Sequence, residues 1–194
     1  MSNLYLDGKI LIAMPTIGDD RFNRTVIYIC AHSADGAMGI VINKAAESLT
    51  FSDILESLNI TSEANRISIP DEIRSRPVQF GGPVESGRGF VLHTSDYFSK
   101  DCTLAVGGDI GLTATLDVLR DIANGHGPRR AFLALGYAGW GAGQLEREIH
   151  ENGWLHCDSD EDLLFAPDLA RKYDRAMSKI GVNPALLSPD LGHA

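Results

Sequence analysis

Residues 136–151 read G-Y-A-G-W-G-A-G-Q-L-E-R-E-I-H-E, and what flanks and fills this stretch decides the fold. The apolar run Ala131 to Leu135 before it has the length and composition of a buried strand, while the residues after Gly143 have helical spacing. The stretch therefore reads as strand, glycine loop, helix. Gly136, Gly139, Gly141 and Gly143 surround Trp140, so the backbone is free to take positive φ while one large ring is held among them. A loop of that composition is costly in chain entropy, which makes Gly139, Trp140, Gly141, Gln144 and Glu146 candidate ligand- or partner-binding residues. The Trp140 ring is expected to line a surface, because four glycines exceed what a buried turn around one ring needs. The alternative is a tight turn packed into the core.

Working outward, Lys9 to Met14 and Thr25 to His32 are strand-like, and Asp35-Gly36 is a turn that joins the second run to a third, Ala37 to Ile42. Thr50, with Asp53 three residues on, opens a helix that ends at Asn59. Residues 61–77 are polar and proline-broken, as an exposed connection would be. Val78 to Phe80 and Gly89 to His93 are strands around Gly81-Gly82-Pro83, and Thr103 to Val106 is another. Leu112, Leu116, Leu119 and Ala123 recur at helical spacing behind Asp109, predicting a helix that stops at Asn124-Gly125. Trp154 to Cys157 is strand-like, and a last helix begins at Pro167 and stops at Gly181. Hairpin-like strand pairs outnumber strict strand–helix alternation, so the expected class is α+β with a mixed, largely antiparallel sheet; a doubly wound nucleotide fold is the runner-up. One domain over residues 1–185 is expected, with a loose tail over 186–194.

Composition limits function. A formal charge of −9 repels polyanions and disfavours a broad nucleic-acid or anionic-membrane surface. The apolar runs are far shorter than the roughly 20 residues that span a bilayer. The N-terminus lacks the pattern of a secretory signal, so a cytoplasmic protein is expected. Cys30, Cys102 and Cys157 are odd in number and far apart, supporting neither a disulfide framework nor a zinc ribbon.

The glycine stretch fits neither G-x-G-x-x-G nor G-x-x-x-x-G-K-[ST], and Glu146 and Glu148 near the helix start would repel a phosphate. His32, His93 and His156 each follow a strand-like run and would serve acid–base or metal chemistry if they converged, so His32 and His93 are weaker site candidates. No metal-ligand spacing occurs, and no metal or cofactor is expected. Arg171, Arg175 and Lys179, with Lys172 beside them, form a basic stripe whose simplest account is a solvated helix face.

The segments L-I-A-M-P (11–15), Phe22 to His32, G-A-M-G-I-V-I-N-K (36–44), F-G-G-P-V-E (80–85), G-F-V-L-H (89–93) and L-G-Y-A-G-W-G-A-G-Q-L-E (135–146) together resemble the YqgE/AlgH family of small bacterial proteins. Asn43, Gly81, Gly82 and Pro83 join the candidate residues from these segments. The resemblance implies a single cytosolic domain, a sheet that curls toward a barrel, and a family without an established biochemical activity. The leading expectation is a regulatory or interaction protein that binds an unidentified protein partner or small molecule near Trp140 and Gly81 to Pro83. The alternatives are an enzyme using Glu146 with His32 or His93, and a transcriptional regulator, as the AlgH name implies. The absence of a helix-turn-helix pattern and the acidic charge speak against specific DNA binding.

Overall fold

A computed structural model of the chain describes residues 5–60, 69–183 and 186–187. Part of the expected connection, 61–68, and most of the expected tail, 188–194, lie outside the described residues. The strands are β1 (Lys9–Ala13), β2 (Val26–Ser33), β3 (Gly36–Val41), β4 (Ala45–Thr50), β5 (Pro77–Phe80), β6 (Val84–Thr94), β7 (Thr103–Val106), β8 (Ile110–Thr113), β9 (Ala131–Gly141) and β10 (Trp154–Asp158). The helices are α1 (Phe51–Ser57), α2 (Asp71–Arg74), α3 (Leu116–Ala123), α4 (Gln144–His150), α5 (Glu161–Leu164) and α6 (Lys172–Lys179), with 3-10 turns at Asp20–Phe22 and Leu169–Arg171. The fold is α+β, as the hairpin pattern predicts.

The chain divides into two compact units, Met1–Lys44 with Tyr137–Ala194, and Ala45–Gly136. In the first, the strand order is β10-β1-β2-β3-β9 and every pairing is antiparallel. Ile10, Leu11, Ile12, Ile27 and Ile29 are fully buried, so consecutive β1 residues are covered on both faces and the strand reads as a continuous apolar run. One cover is α6, whose Tyr173, Ala176 and Met177 are buried and whose Tyr173 hydroxyl donates to Ala13 O at 2.7 Å.

In the second unit β4 pairs β5, β5 runs parallel to β9, and β9-β6-β8-β7 completes the sheet. Phe51, Leu55, Val78, Val91, Val118, Leu119 and Leu133 form its core, onto which α1 and α3 fold. The expected Thr50–Asp53 capping box is present and starts α1.

Two expected elements take another form. Ile110–Thr113, expected as the first turn of a helix, is β8, because β6 and β7 offer main-chain partners on both sides; the helix begins only at Leu116. The expected glycine loop is strand as far as Gly141, because β3 pairs with it, Ala37 opposite Trp140 and Gly36 opposite Gly141. The glycines there permit close approach: a Cβ on Gly36, at φ +142°, would lie 2.3 Å from Trp140 O, and one on Gly136, at φ +74°, 2.3 Å from Gly82 O.

Candidate functional site

Trp140 lies on the inward face of β9, where the alternation buries Ala138 and Trp140 and exposes Gly139 and Gly141. Only 7% of Trp140 is exposed, which corrects the expectation that its ring faces solvent. Gly143, left-handed at φ +69°, turns the chain into α4, where Gln144 and Glu148 share a face at i, i+4. Glu148 Oε2 accepts the indole N–H groups of both Trp140 (2.9 Å) and Trp154 (2.8 Å), and its Oε1 accepts the Gln144 amide (2.8 Å). Gln144 Oε1 in turn accepts the Gly141 N–H at 3.0 Å. The indoles meet edge to face at 5.9 Å between centroids, and Trp154 meets Phe22 in the same way at 5.6 Å. One carboxylate with three N–H donors therefore ties the end of β9 and the start of β10 to α4, and the Trp154–Phe22 ring contact extends this to the 3-10 turn at Asp20–Phe22.

That 3-10 turn forms a wall of a cleft of about 390 Å³, lined by Pro15, Ile17, Asp20, Asn23, Arg24 and Tyr173 among others. The wall is tied down at several points. Asp19 caps the turn through Arg21 N–H and also takes the Arg21 guanidinium at 2.7 Å; that side-chain bond holds its carboxyl below the usual carboxylate range. Asn43 spans the chain reversal, accepting from Val26 N–H (2.9 Å) and donating to Arg24 O (2.8 Å), and Lys44 Nζ donates to Arg21 O at 2.7 Å. Arg24, at φ +48°, stacks its guanidinium 4.4 Å from the Tyr173 ring centroid and pairs with Asp174 at 2.7 Å. Among the described residues, the Asp20 carboxylate and the Asn23 carboxamide have no partner.

His32 and Glu146 also meet, at 3.0 Å. His32 Nδ1 accepts the Leu6 N–H at 3.0 Å, so the ring proton sits on Nε2 and is donated to Glu146 Oε1. Both ring nitrogens are thus engaged, and neither residue lines the cleft. The Glu146 carboxyl is held below its ordinary value by its own main-chain N–H, and further by His32. His93 is fully buried in the unit of residues 45–136. Its Nδ1 donates to Thr94 O (2.9 Å), and its Nε2 accepts from the Thr113 hydroxyl (2.7 Å), which accepts from Thr103 (2.7 Å). Burial pushes the His93 pKa down, keeping the ring neutral.

Gly81, Gly82 and Pro83 belong to the same unit as His93. Gly81 N–H donates to Leu135 O at 2.8 Å, and a Cβ on Gly81 would lie 2.2 Å from Gly136 O. Beside them Gln79, 5% exposed, keeps an Oε1 without a donor among the described residues. Of the expected candidates, Gly141, Trp140 and Gln144 come together around Glu148, Asn43 braces the cleft wall, and His32 joins Glu146. Glu148 and Lys172 stand out only in three dimensions. Lys172, expected beside a solvated stripe, is fully buried, donates to Ile42 O (2.9 Å) and Leu164 O (2.6 Å), and has its pKa lowered by burial to about 7. No group of three or more His, Cys, Asp or Glu side chains among the described residues is placed to hold a metal ion. No helix among them is long and apolar enough to cross a membrane.

Fold and site together define an α+β protein with a cleft beside the turn Asp20–Phe22 and an internal tryptophan–carboxylate lock behind that turn. The AlgH-like family profile matches residues 10–185. A UPF0301 protein of Rhodopseudomonas palustris is 58% identical over 190 residues, covering 98% of this chain and 87% of the relative. Another from Bradyrhizobium diazoefficiens is 56% identical over 190 residues, covering 98% and 89%. The solution structure of the AlgH protein from Pseudomonas aeruginosa superposes with a TM-score of 0.79 at 40% identity, covering 100% of this chain and 98% of that one. The crystal structure of protein DIP2367 from Corynebacterium diphtheriae shares the fold, with a TM-score of 0.71 at 19% identity over 93% of this chain and 90% of that one. The chain belongs to the AlgH-like family, as its motifs indicate.

Proposed function

We propose that the protein is a regulatory or interaction protein that takes a small polar molecule, or a polar segment of a partner, in the cleft beside the turn Asp20–Phe22. The observation that carries this is the pair of exposed polar groups without a protein partner among the described residues, Asp20 and Asn23, on a wall tied to the unit by the Asn43 and Lys44 hydrogen bonds. A pre-formed cleft with a few placed polar groups is the usual form of a small-molecule site. In this proposal the Gly-Trp-Gly stretch supports the site through Trp154 and Phe22 and does not touch the ligand. A ligand donating hydrogen bonds or carrying a positive charge suits Asp20. The cell compartment this implies is the cytoplasm, and specific duplex-DNA binding is not part of the role, given the charge of −9.

The test is a ligand-observed NMR screen of metabolite mixtures against the wild type and against Asp20→Asn with Asn23→Ala. A hit that binds the wild type and is lost in the variant, with an unchanged melting temperature, is expected. Hits that persist in the variant would overturn the proposal.

The His32–Glu146 contact supports a second role, acid–base catalysis with Glu146 as the exposed member, its side chain 47% accessible against 1% for His32. Glu146→Gln decides it: a substrate whose turnover disappears in that variant while binding persists would place the chemistry there.

A further inference from the structure

We infer, resting on the cleft beside Asp20–Phe22 as the binding site proposed above, that its ligand is a small zwitterion: an amino acid whose ammonium meets Asp20, whose carboxylate meets Arg24 and whose aliphatic part lies against Pro15, Ile17 and Leu187. Asp20 and Arg24 both line the cleft, and among the described residues they form no ion pair with each other. Arg24 is held by other groups, its guanidinium stacked 4.4 Å from the Tyr173 ring centroid and one N–H bonded to Asp174 at 2.7 Å, which leaves its remaining N–H groups free to donate. Asp174 lines a neighbouring groove with Arg171, Arg175 and Lys179, and not the cleft, so the carboxylate that holds Arg24 does not stand between it and a ligand. The other carboxylate on the wall, Asp19, has both oxygens on the Arg21 guanidinium, at 3.0 and 2.7 Å.

These charges choose between classes of ligand. A simple amine satisfies Asp20 and brings its own positive charge beside Arg24, while a simple carboxylate satisfies Arg24 and meets both Asp20 and the chain's formal charge of −9. A molecule carrying both groups satisfies both and is neutral overall. The span suits one small molecule: Asp20 and Arg24 are four positions apart in sequence, so even a fully extended chain sets their Cα atoms no more than about 14 Å apart, and a 3-10 turn takes up part of that. The Asn23 carboxamide, which has no partner among the described residues, offers a donor and an acceptor to either end of the ligand. At about 390 Å³ the cleft is at the small end of the range usual for small-molecule sites, roughly 300–1,000 Å³.

Ligand-observed NMR titration of the full chain with four probes is the test: L-leucine; 4-aminobutanoate, whose charged ends are further apart; 3-methylbutylamine, which is leucine without its carboxylate; and 4-methylpentanoate, which is leucine without its ammonium. At least one of the two zwitterions is expected to bind with Kd below about 1 mM, the tighter of them setting the spacing, and each singly charged analogue to bind at least about tenfold more weakly. Arg24→Gln is expected to weaken the zwitterion at least about tenfold and to leave the amine unchanged or tighter; Asp20→Asn is expected to weaken the zwitterion equally and to leave the carboxylate unchanged or tighter. Should Arg24→Gln fail to fold, the four probes on the wild type decide. An amine that binds as tightly as either zwitterion overturns the inference and leaves the cleft standing as a cation site, provided that Asp20→Asn abolishes its binding. Zwitterion binding indifferent to both substitutions overturns the inference, and so does the absence of zwitterion binding at about 10 mM. The proposed site itself falls only if the hits of the metabolite screen also persist in Asp20→Asn with Asn23→Ala.

Discussion

The indole N–H groups of Trp140 and Trp154 converge on a single oxygen, Oε2 of Glu148, at 2.9 and 2.8 Å. Two rings that sequence places fourteen positions apart are thereby held edge to face, and the strands that carry them, β9 and β10, are fixed to the same helix. The stretch around Trp140 consequently acts through position, by setting where Phe22 and the cleft wall rest.

Loss of that carboxylate strands two indole donors and the Gln144 amide. Glu148→Ala is expected to destabilise by about 2–4 kcal/mol, since each buried donor left unpaired costs about 1–3 kcal/mol and water replaces part of the loss. Trp140→Ala, which empties a buried ring, is expected to cost about 3–5 kcal/mol, and Trp140→Phe about 1–2 kcal/mol. Urea melts check all three. A Trp140→Ala variant as stable as the wild type would show that the ring is not structural.

Two glycines with positive φ, Gly36 and Gly125, answer to different forces. Gly36→Ala puts a methyl group 2.3 Å from Trp140 O at φ +142°, a position that only backbone movement relieves, and is expected to cost more than about 2 kcal/mol or to prevent folding. Gly125→Ala, at φ +78° but with open space around it, pays only for the backbone conformation, about 1 kcal/mol. Equal losses in the two variants, measured by thermal melts, would contradict the steric account.

Lys172 gives the protein a pH dependence on the alkaline side. Its pKa is lowered to about 7 in the fold, against roughly 10.4 in the unfolded chain, so between these values the unfolded state binds more protons and stability rises with pH. Below pH 7 both states are protonated and the penalty for burying the charge is constant. From pH 7 to 9 the wild type is expected to gain about 1–2 kcal/mol, and Lys172→Met to lose most of that slope. Lys44, lowered by burial, adds a smaller part in the same direction. His93, also lowered, acts below about pH 6.5. Cys30, pushed up to about 12 by burial, removes stability only above its unfolded value of about 9. Denaturant midpoints at pH 7, 8 and 9 supply the slope, and identical slopes in wild type and Lys172→Met would refute the assignment.

His93 Nε2 depends on one hydroxyl. Thr113→Val leaves that acceptor without a donor in a fully buried position and cuts the chain to Thr103, so a loss of about 1–3 kcal/mol is expected in urea melts. Thr103→Val leaves Thr113 free to donate to His93 and is expected to cost less; the reverse order would mean that the chain of hydroxyls runs the other way.

Much of this protein was determined locally, and local signals are what a sequence displays. The apolar runs of β1, β2 and β3, the Asp35-Gly36 turn, the Thr50–Asp53 capping box and the family segments are each written within a few residues, because strand alternation, turns and caps involve neighbours in the chain. Pairing and burial were decided elsewhere. Ile110–Thr113 has helical spacing with its C-terminal neighbours and is nonetheless a strand, because main-chain partners in β6 and β7 outweigh a weak local preference. Gly139 and Gly141 look like a loop until β3, about a hundred residues away, pairs with them. Lys172 looks solvated until Ile42 O and Leu164 O supply its acceptors, and Glu148 looks like one more helix-face carboxylate until two tryptophans donate to it. Hydrogen-bond partners and exclusion of water belong to the assembled chain, so these residues acquire their character only from tertiary structure.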